Sequence, residues 1–421
     1  MARTCNFSDV NGGYYSQCPR DRKVLSVEFA MSDATGQALD PVSDAPERAE
    51  LRRGVRQLIK DVSPEHRVRA LDESETFDGD LFRALAEMGI LEIGLNGAGD
   101  VRDQLVVLEE LGAGPTSMAA FLIAQFAVAQ VLQRFGSSPT HRRALERLLA
   151  GQGSGSFALS EPDGGTDVAR VMQTTAVPDG EGGFVLVGHK MWTSGAVEAD
   201  WIIVLARTSP IEGSPVNGVT MFFVERDAPG LEVTTIDTMG IHGMSTCHVY
   251  LSDVRVSVEN VLGEAGKGMR QAFTTVNREG LHAAAASIGV GRGALSLAVD
   301  YAMERKVFDK AIASFQVPQH WLVDGAVALE SARSLMARAA EVEAGGGDAG
   351  NLASMAKLVA SEAAVEIALR GMQLMGGMGF AREVAMQRFF RDGRLWCFSP
   401  LTNEMVRNSL GSRLLGLPRS F

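Results

Sequence analysis

Hydrophobic patterning divides the chain into three blocks. From Ala45 to about Leu149 apolar residues recur at helical spacing. Leu51, Val55, Leu58 and Ile59 form one such set, and Leu81, Leu85, Met88 and Leu91 another. The Gly-rich stretch 94–99 interrupts the pattern. Leu105 to Leu111 and Met118 to Phe135 then follow, the last stopped by Gly136 and Pro139. From Gly155 to about Gly263 the pattern changes to short Val-, Ile-, Phe- and Thr-rich runs. These are Thr174–Val177, Phe184–Val187, Trp201–Ala206, Gly218–Val224, Leu231–Ile236 and His248–Leu251, separated by turns such as Pro178-Asp179-Gly180. From Gly268 onward long helical periods return, at Gly280–Arg305, Gln316–Ala344, Leu352–Met375 and Glu383–Phe390.

Helices, strands and helices in separate blocks predict an α+β fold and argue against a doubly wound sheet. The expected organisation is an N-terminal helical domain over 31–154, a middle antiparallel, barrel-like β-domain over 155–267 and a C-terminal four-helix bundle over 268–421. Residues 1–30 differ from the rest. They hold two of the four cysteines and two of the four tyrosines without any period, and read as a disordered extension or as a start placed too early.

Composition narrows the function classes. The net charge is -11 and no Lys/Arg block occurs, so a broad nucleic-acid footprint is not expected. The most apolar stretch, Met118–Leu132, is broken by Gln125 and Gln130 and falls short of the ~20 residues that span a bilayer. A buried helix is expected there, and no membrane partner. Cys5, Cys18, Cys247 and Cys397 lack C-x-x-C spacing and do not cluster with histidines, so neither a zinc site nor a disulfide framework is expected. A reducing cytoplasm fits this usage.

Four segments carry candidate chemistry. Phe157-Ala-Leu-Ser-Glu-Pro-Asp-Gly-Gly-Thr-Asp167 leaves a strand for a tight loop. Its N–H groups and the hydroxyls of Ser160 and Thr166 suit ring carbonyls or an anion. Taken alone, it fits a capped turn equally well. Gly188-His-Lys-Met-Trp-Thr-Ser-Gly-Ala196 sets Trp192 beside two hydroxyls, where it can wall an aromatic cofactor or simply join a core. Gln373-Leu-Met-Gly-Gly-Met-Gly-Phe380 leaves backbone N–H groups free for phosphate at a helix junction. Arg305, in Tyr301-Ala-Met-Glu-Arg305-Lys-Val-Phe308, has the reach for a bidentate phosphate contact, and Phe315-Gln316 follows.

In that order and spacing, the set resembles the acyl-CoA dehydrogenase superfamily. The first segment is similar to its S/T-E-P-x-x-G-S/T-D signature, and the segment from Gln373 to Asp392 to its second. The resemblance covers residues 45 to about 417. It implies an FAD enzyme that takes the α-proton and β-hydride of an acyl thioester, on CoA or on an acyl carrier protein, and passes electrons to an electron-transferring flavoprotein or to oxygen. It places Phe157, Leu159, Ser160, Gly165, Thr166, Trp192 and Ser194 at the flavin, with Thr402 and Glu404 as further contacts. Arg305, Phe308, Phe315, Gln316, Gln373, Gly376 and Gly377 would hold the dinucleotide end of a neighbouring subunit's FAD, in a homodimer or homotetramer.

The sequence also departs from the family pattern. Where the family carries its base in a Y-E-G-T-N-E stretch, this chain reads Phe398-Ser-Pro-Leu-Thr-Asn-Glu404, with Pro400 at the base position. Proline takes no proton. The resemblance offers a second base position, on the helix opening the C-terminal bundle, and Glu279 occupies it. Gly280 replaces a substrate-side arginine, and the loop over 94–103 is shorter than in the family. Asn277 and Thr166 are implied thioester contacts. Two alternatives stay open: a flavin monooxygenase or oxidase that needs no such base, and a non-catalytic partner in a hetero-oligomer.

Overall fold

A computed structural model describes residues 39–419 apart from 42, 43 and 96; the side chains of 275–277 and the extension over residues 1–30 lie outside the described residues. The first block folds as α1 (Pro46–Val62), α2 (Glu65–Ser74), α3 (Gly79–Glu87), α4 (Val101–Gly112), α5 (Thr116–Phe135) and α6 (Pro139–Leu149). Local chemistry sets several starts. The Asp78 carboxylate accepts from the Leu81 N–H, and Asp100 and Asp103 form a reciprocal capping box at α4. Ser138 caps α6 in the same way with His141. Among the described residues, α5 is long and apolar enough to cross a membrane, but 78% of that stretch is packed inside the chain.

The middle block is one eight-stranded sheet. It contains β1 (Gly155–Ala158), β2 (Thr175–Pro178), β3 (Gly183–Ser194), β4 (Trp201–Arg207), β5 (Val219–Glu225), β6 (Leu231–Thr235), β7 (Thr246–Ser257) and β8 (Val261–Leu262). The order is β6-β7-β3-β2-β4-β5-β8, with β1 paired off this path to β4. Most pairs are antiparallel; β1 runs parallel to β4 because the loop and short helix α7 (Val168–Val171) intervene. Trp201 to Ala206 of β4 and Val219 to Val224 of β5 are buried continuously, since both faces are covered.

The last block holds α8 (Gly268–Glu304), a hairpin of β9 (Lys306–Val307) and β10 (Lys310–Ala311), α9 (Gln316–Ala344), α10 (Gly350–Met375), α11 (Gly377–Phe380), α12 (Met386–Leu395) and α13 (Asn403–Leu415). Helix α8 begins twelve residues before Gly280, and its first turns already pack: Met269 and Ala272 are buried in the core shared with β4 and β5. It is the central post, packed on α10, α4, α9 and α5. Backbones approach closely where α4 crosses α8: a Cβ at Gly289 would stand 2.2 Å from the Glu109 carbonyl.

The same crossing buries two carboxylates. Glu110 meets Arg52 at 2.8 Å, Arg56 at 2.9 Å and Arg292 at 2.8 Å, while Glu109 meets Arg333 at 2.9 Å. Burial by itself would raise both pKa values, but the arginine charges outweigh it and hold both below the usual carboxylate range. The network ties α1, α4, α8 and α9 together.

Candidate active site

The loop after β1 is fixed from beneath by a buried ion pair. The Glu161 carboxylate accepts from Lys190 Nζ at 2.8 Å, the Gln173 N–H at 2.6 Å and the Thr174 N–H at 3.0 Å. Lys190 Nζ also donates to the Leu159 carbonyl at 3.1 Å. Burial pushes the Lys190 ammonium down to about 8 against the attraction of Glu161. Alongside, the Met191 N–H donates to the Ser160 carbonyl, and Ser156 Oγ donates to the Ser194 carbonyl at 2.6 Å. The Gln125 amide of α5 bonds both the N–H and the carbonyl of Gly155. Phe157, Leu159, Ser160 and Ser194 are thereby held half-buried beside one another. Gly165 and Thr166 stay exposed, and their N–H groups donate to nothing among the described residues.

Trp192 is displayed by strain. The β3–β7 register shifts between Lys190 and Thr193, a bulge that turns Trp192 out of the sheet. Its φ is 62°, left-handed for a bulky residue, and its side chain is 55% exposed. A large apolar ring held outward at a backbone cost is what a flat cofactor surface needs. With the free N–H groups of the loop, these residues fit a flavin.

The remaining sequence-predicted residues lie on the bundle. Arg305 follows the last turn of α8 and is exposed. Phe308 and Asp309, at φ 49° and 62°, form the two-residue turn of the β9–β10 hairpin, which lifts Phe308 to 90% exposure. Phe315, Gln316, Gln373, Gly376 and Gly377 are exposed as well. Gly376, at φ 59° and ψ -134°, takes a backbone only glycine adopts readily, at the break between α10 and α11. No hydrogen bond among the described residues joins this group to the β1–β3 group.

At the expected base position, Pro400 leaves no ionisable group. Lys357 Nζ grips the loop there through the Leu401 carbonyl at 2.6 Å and Asn403 Oδ1 at 2.7 Å. Thr402 Oγ1 accepts from the Met405 N–H and caps α13, and Glu404 is exposed. Glu279, on α8, has no hydrogen-bond or ionic partner among the described residues. Solvent still touches it, yet burial pushes its carboxyl up to about 7. Next to it Arg278 is held away by Glu343 at 2.5 Å. The side chain of Asn277 lies outside those described.

Sequence reasoning missed Lys190, Glu161 and Lys357 as positioning groups. The first two stood inside the quoted segments, but a lysine and a glutamate read as solvated until burial is known. Lys357 sits mid-helix and carries no local signal.

Comparison with known proteins settles the family. Residues 45–152 match the acyl-CoA dehydrogenase N-terminal domain, 156–254 the middle domain and 266–415 the C-terminal domain. The chain belongs to the acyl-CoA dehydrogenase family. It is 32% identical over 373 residues to a probable acyl-CoA dehydrogenase of Bacillus subtilis (strain 168), spanning 86% of this chain and 97% of that one. The solved butyryl-CoA dehydrogenase from Megasphaera elsdenii superposes with a TM-score of 0.83 at 29% identity, over 89% of this chain and 100% of the other. The prolyl acyl carrier protein oxidase AnaB superposes with a TM-score of 0.82 at 26% identity, over 89% and 100%. This acyl-CoA dehydrogenase family member is thus an FAD-dependent oxidoreductase acting on CH–CH bonds.

Proposed function

We propose that the protein dehydrogenates an acyl thioester between its α- and β-carbons, with Glu279 as the base. The carrying observation is a carboxyl without a partner among the described residues, its pKa raised close to neutrality by burial. At neutral pH a large fraction is carboxylate, and the conjugate acid is weak enough to hold a proton taken from carbon. Bound FAD supplies the acceptor for the β-hydrogen as hydride. The chain's own residues position the reactants. Trp192 walls the flavin, Ser194 and Ser160 offer hydroxyls to its edge, and the N–H groups of Gly165 and Thr166 take its oxygens. Phe157 and Leu159 close the apolar side, with Thr402 and Glu404 beyond. Thr166 and Asn277 contact the thioester carrier.

Arg305, Phe308, Phe315, Gln316, Gln373, Gly376 and Gly377 serve the FAD of a neighbouring copy in a homodimer or homotetramer. Their outward display supports this reading: a strained hairpin that exposes a phenylalanine needs an external partner. The protein is read as cytoplasmic, with an electron-transferring flavoprotein as acceptor.

A second reading is favoured by the likeness to the prolyl acyl carrier protein oxidase: a thioester on a carrier protein, with oxygen as acceptor. Anaerobic mixing of the yellow protein with short, branched and long acyl groups, carried on CoA and on a carrier protein, decides between them. Bleaching of the flavin band by one class, lost in Glu279→Gln with FAD retained, supports the first reading. Bleaching only by carrier-bound esters supports the second.

A further inference from the structure

His282 lies one turn after Glu279 on α8, so the two side chains share a helix face about 4.5 Å apart in rise. His282 is 2% exposed, against Phe126 of α5 at 5.6 Å between ring centroids. Its Nε2 lies 3.0 Å from Gln104 Oε1, and Gln104 Nε2 donates to the Ile93 carbonyl at 2.7 Å. The Ile93 bond commits the amide nitrogen as donor and turns its oxygen to the imidazole. His282 must therefore donate from Nε2, and Nδ1 keeps a bare lone pair. Burial, with the nearby Arg278 charge, pushes its pKa down to about 3, so the ring stays neutral. Nδ1 has no hydrogen-bond partner among the described residues. A buried acceptor left empty is costly, and a donor brought by a ligand relieves that cost.

We propose that His282 Nδ1 is a specificity determinant: it accepts a hydrogen bond from a hydroxyl or N–H carried on the acyl chain, beyond the carbons that react at Glu279. The preferred substrate is then a polar-substituted acyl thioester, not a plain alkyl one. This rests on the reading of Glu279 as the group beside the α-carbon. An apolar acyl end gains nothing from the lone pair and leaves it unpaired. A γ- or δ-hydroxyl satisfies it. Gln104 is the positioning residue that fixes the tautomer.

The test uses the FAD-loaded Glu279→Gln protein, which binds without turning over, titrated with 5-hydroxyvaleryl-CoA and valeryl-CoA by perturbation of the flavin spectrum. We expect the hydroxy ester to bind about tenfold more tightly. Adding His282→Gln, which reaches Gln104 but removes the Nδ1 acceptor, abolishes the preference. Adding His282→Asn, which keeps an acceptor near the Nδ1 position, restores it. Equal affinities in all three proteins, or binding of neither ester, overturn the proposal. The same esters mixed with the Glu279-bearing protein report bleaching separately. A His282-dependent preference without bleaching therefore removes the dehydrogenase reading and keeps the binding one.

Discussion

Lys190 Nζ lies 2.8 Å from Glu161 Oε1, and both side chains are buried beneath the loop that follows β1. The pair joins β3, which carries Trp192 and Ser194, to the loop that carries Ser160, Gly165 and Thr166. A buried pair is poor evidence of stability, because desolvation opposes attraction. Its value here is registry: together with the Met191 N–H bond to the Ser160 carbonyl, it fixes the loop against β3.

Removing one partner leaves an uncompensated group. Glu161→Gln is expected to cost about 3 kcal/mol and to release FAD on gel filtration. Glu161 is held below its usual range, since the Lys190 charge and the hydrogen bonds outweigh burial. Its contribution is present above the ordinary carboxylate range and is lost as pH falls through the depressed value. Urea titrations at pH 7 and pH 3 check this: the variant and the parent should differ at the first and converge toward the second.

Glu279→Gln should lower the rate of flavin reduction by about 10²–10⁴-fold with FAD still bound. In the parent, the rate should rise with pH and level off above about 7, where the carboxylate dominates. Stability runs the other way. A carboxyl whose folded pKa is raised loses stability as pH climbs from its unfolded value to its folded one. The substitution should therefore raise the melting temperature at pH 8 and not at pH 4. A flat rate profile from pH 5.5 to 8.5 would assign the proton to another group.

Trp192→Gly relieves a left-handed backbone and gives up little packing, because the ring is half in solvent. The cofactor-free variant should match the parent in urea within about 1 kcal/mol. Its FAD affinity should fall at least about tenfold, a loss of ~1.4 kcal/mol. Trp192→Phe should recover most of that affinity. Fluorescence titration with FAD reads both.

Arg292→Met removes a cation 2.8 Å from Glu110 and also 2.8 Å from Asp40. The buried Glu109 and Glu110 carboxylates then share fewer positive charges, and about 3–5 kcal/mol of stability should be lost. Activity per folded molecule should hold, because the network lies where α4 crosses α8 and none of its members is assigned to flavin or thioester. Differential scanning calorimetry with a parallel activity assay separates the two effects.

Block order, the strand-rich middle and the long C-terminal helices were legible from the sequence because period and turn chemistry are local. The segments proposed to face the flavin stood out for a related reason: a tight loop needs glycines, and a Trp next to hydroxyls is conspicuous. The start of α8 was legible in the same way, because Met269, Ala272, Phe273 and Val276 keep helical spacing from Gly268 on. Family likeness placed a base at Glu279, but a glutamate in a helix reads as solvated until its surroundings are known.

By itself the sequence determined which segments are helices and strands and which family they spell, since those follow from residue identity and spacing. Tertiary structure decided which polar groups lost their water. It buried Lys190 against Glu161 and gathered four arginines around Glu109 and Glu110. It also left Glu279 and one nitrogen of His282 without a hydrogen-bond partner among the described residues. Desolvation depends on every element packed around a group, including ones hundreds of residues away, and no local pattern encodes it.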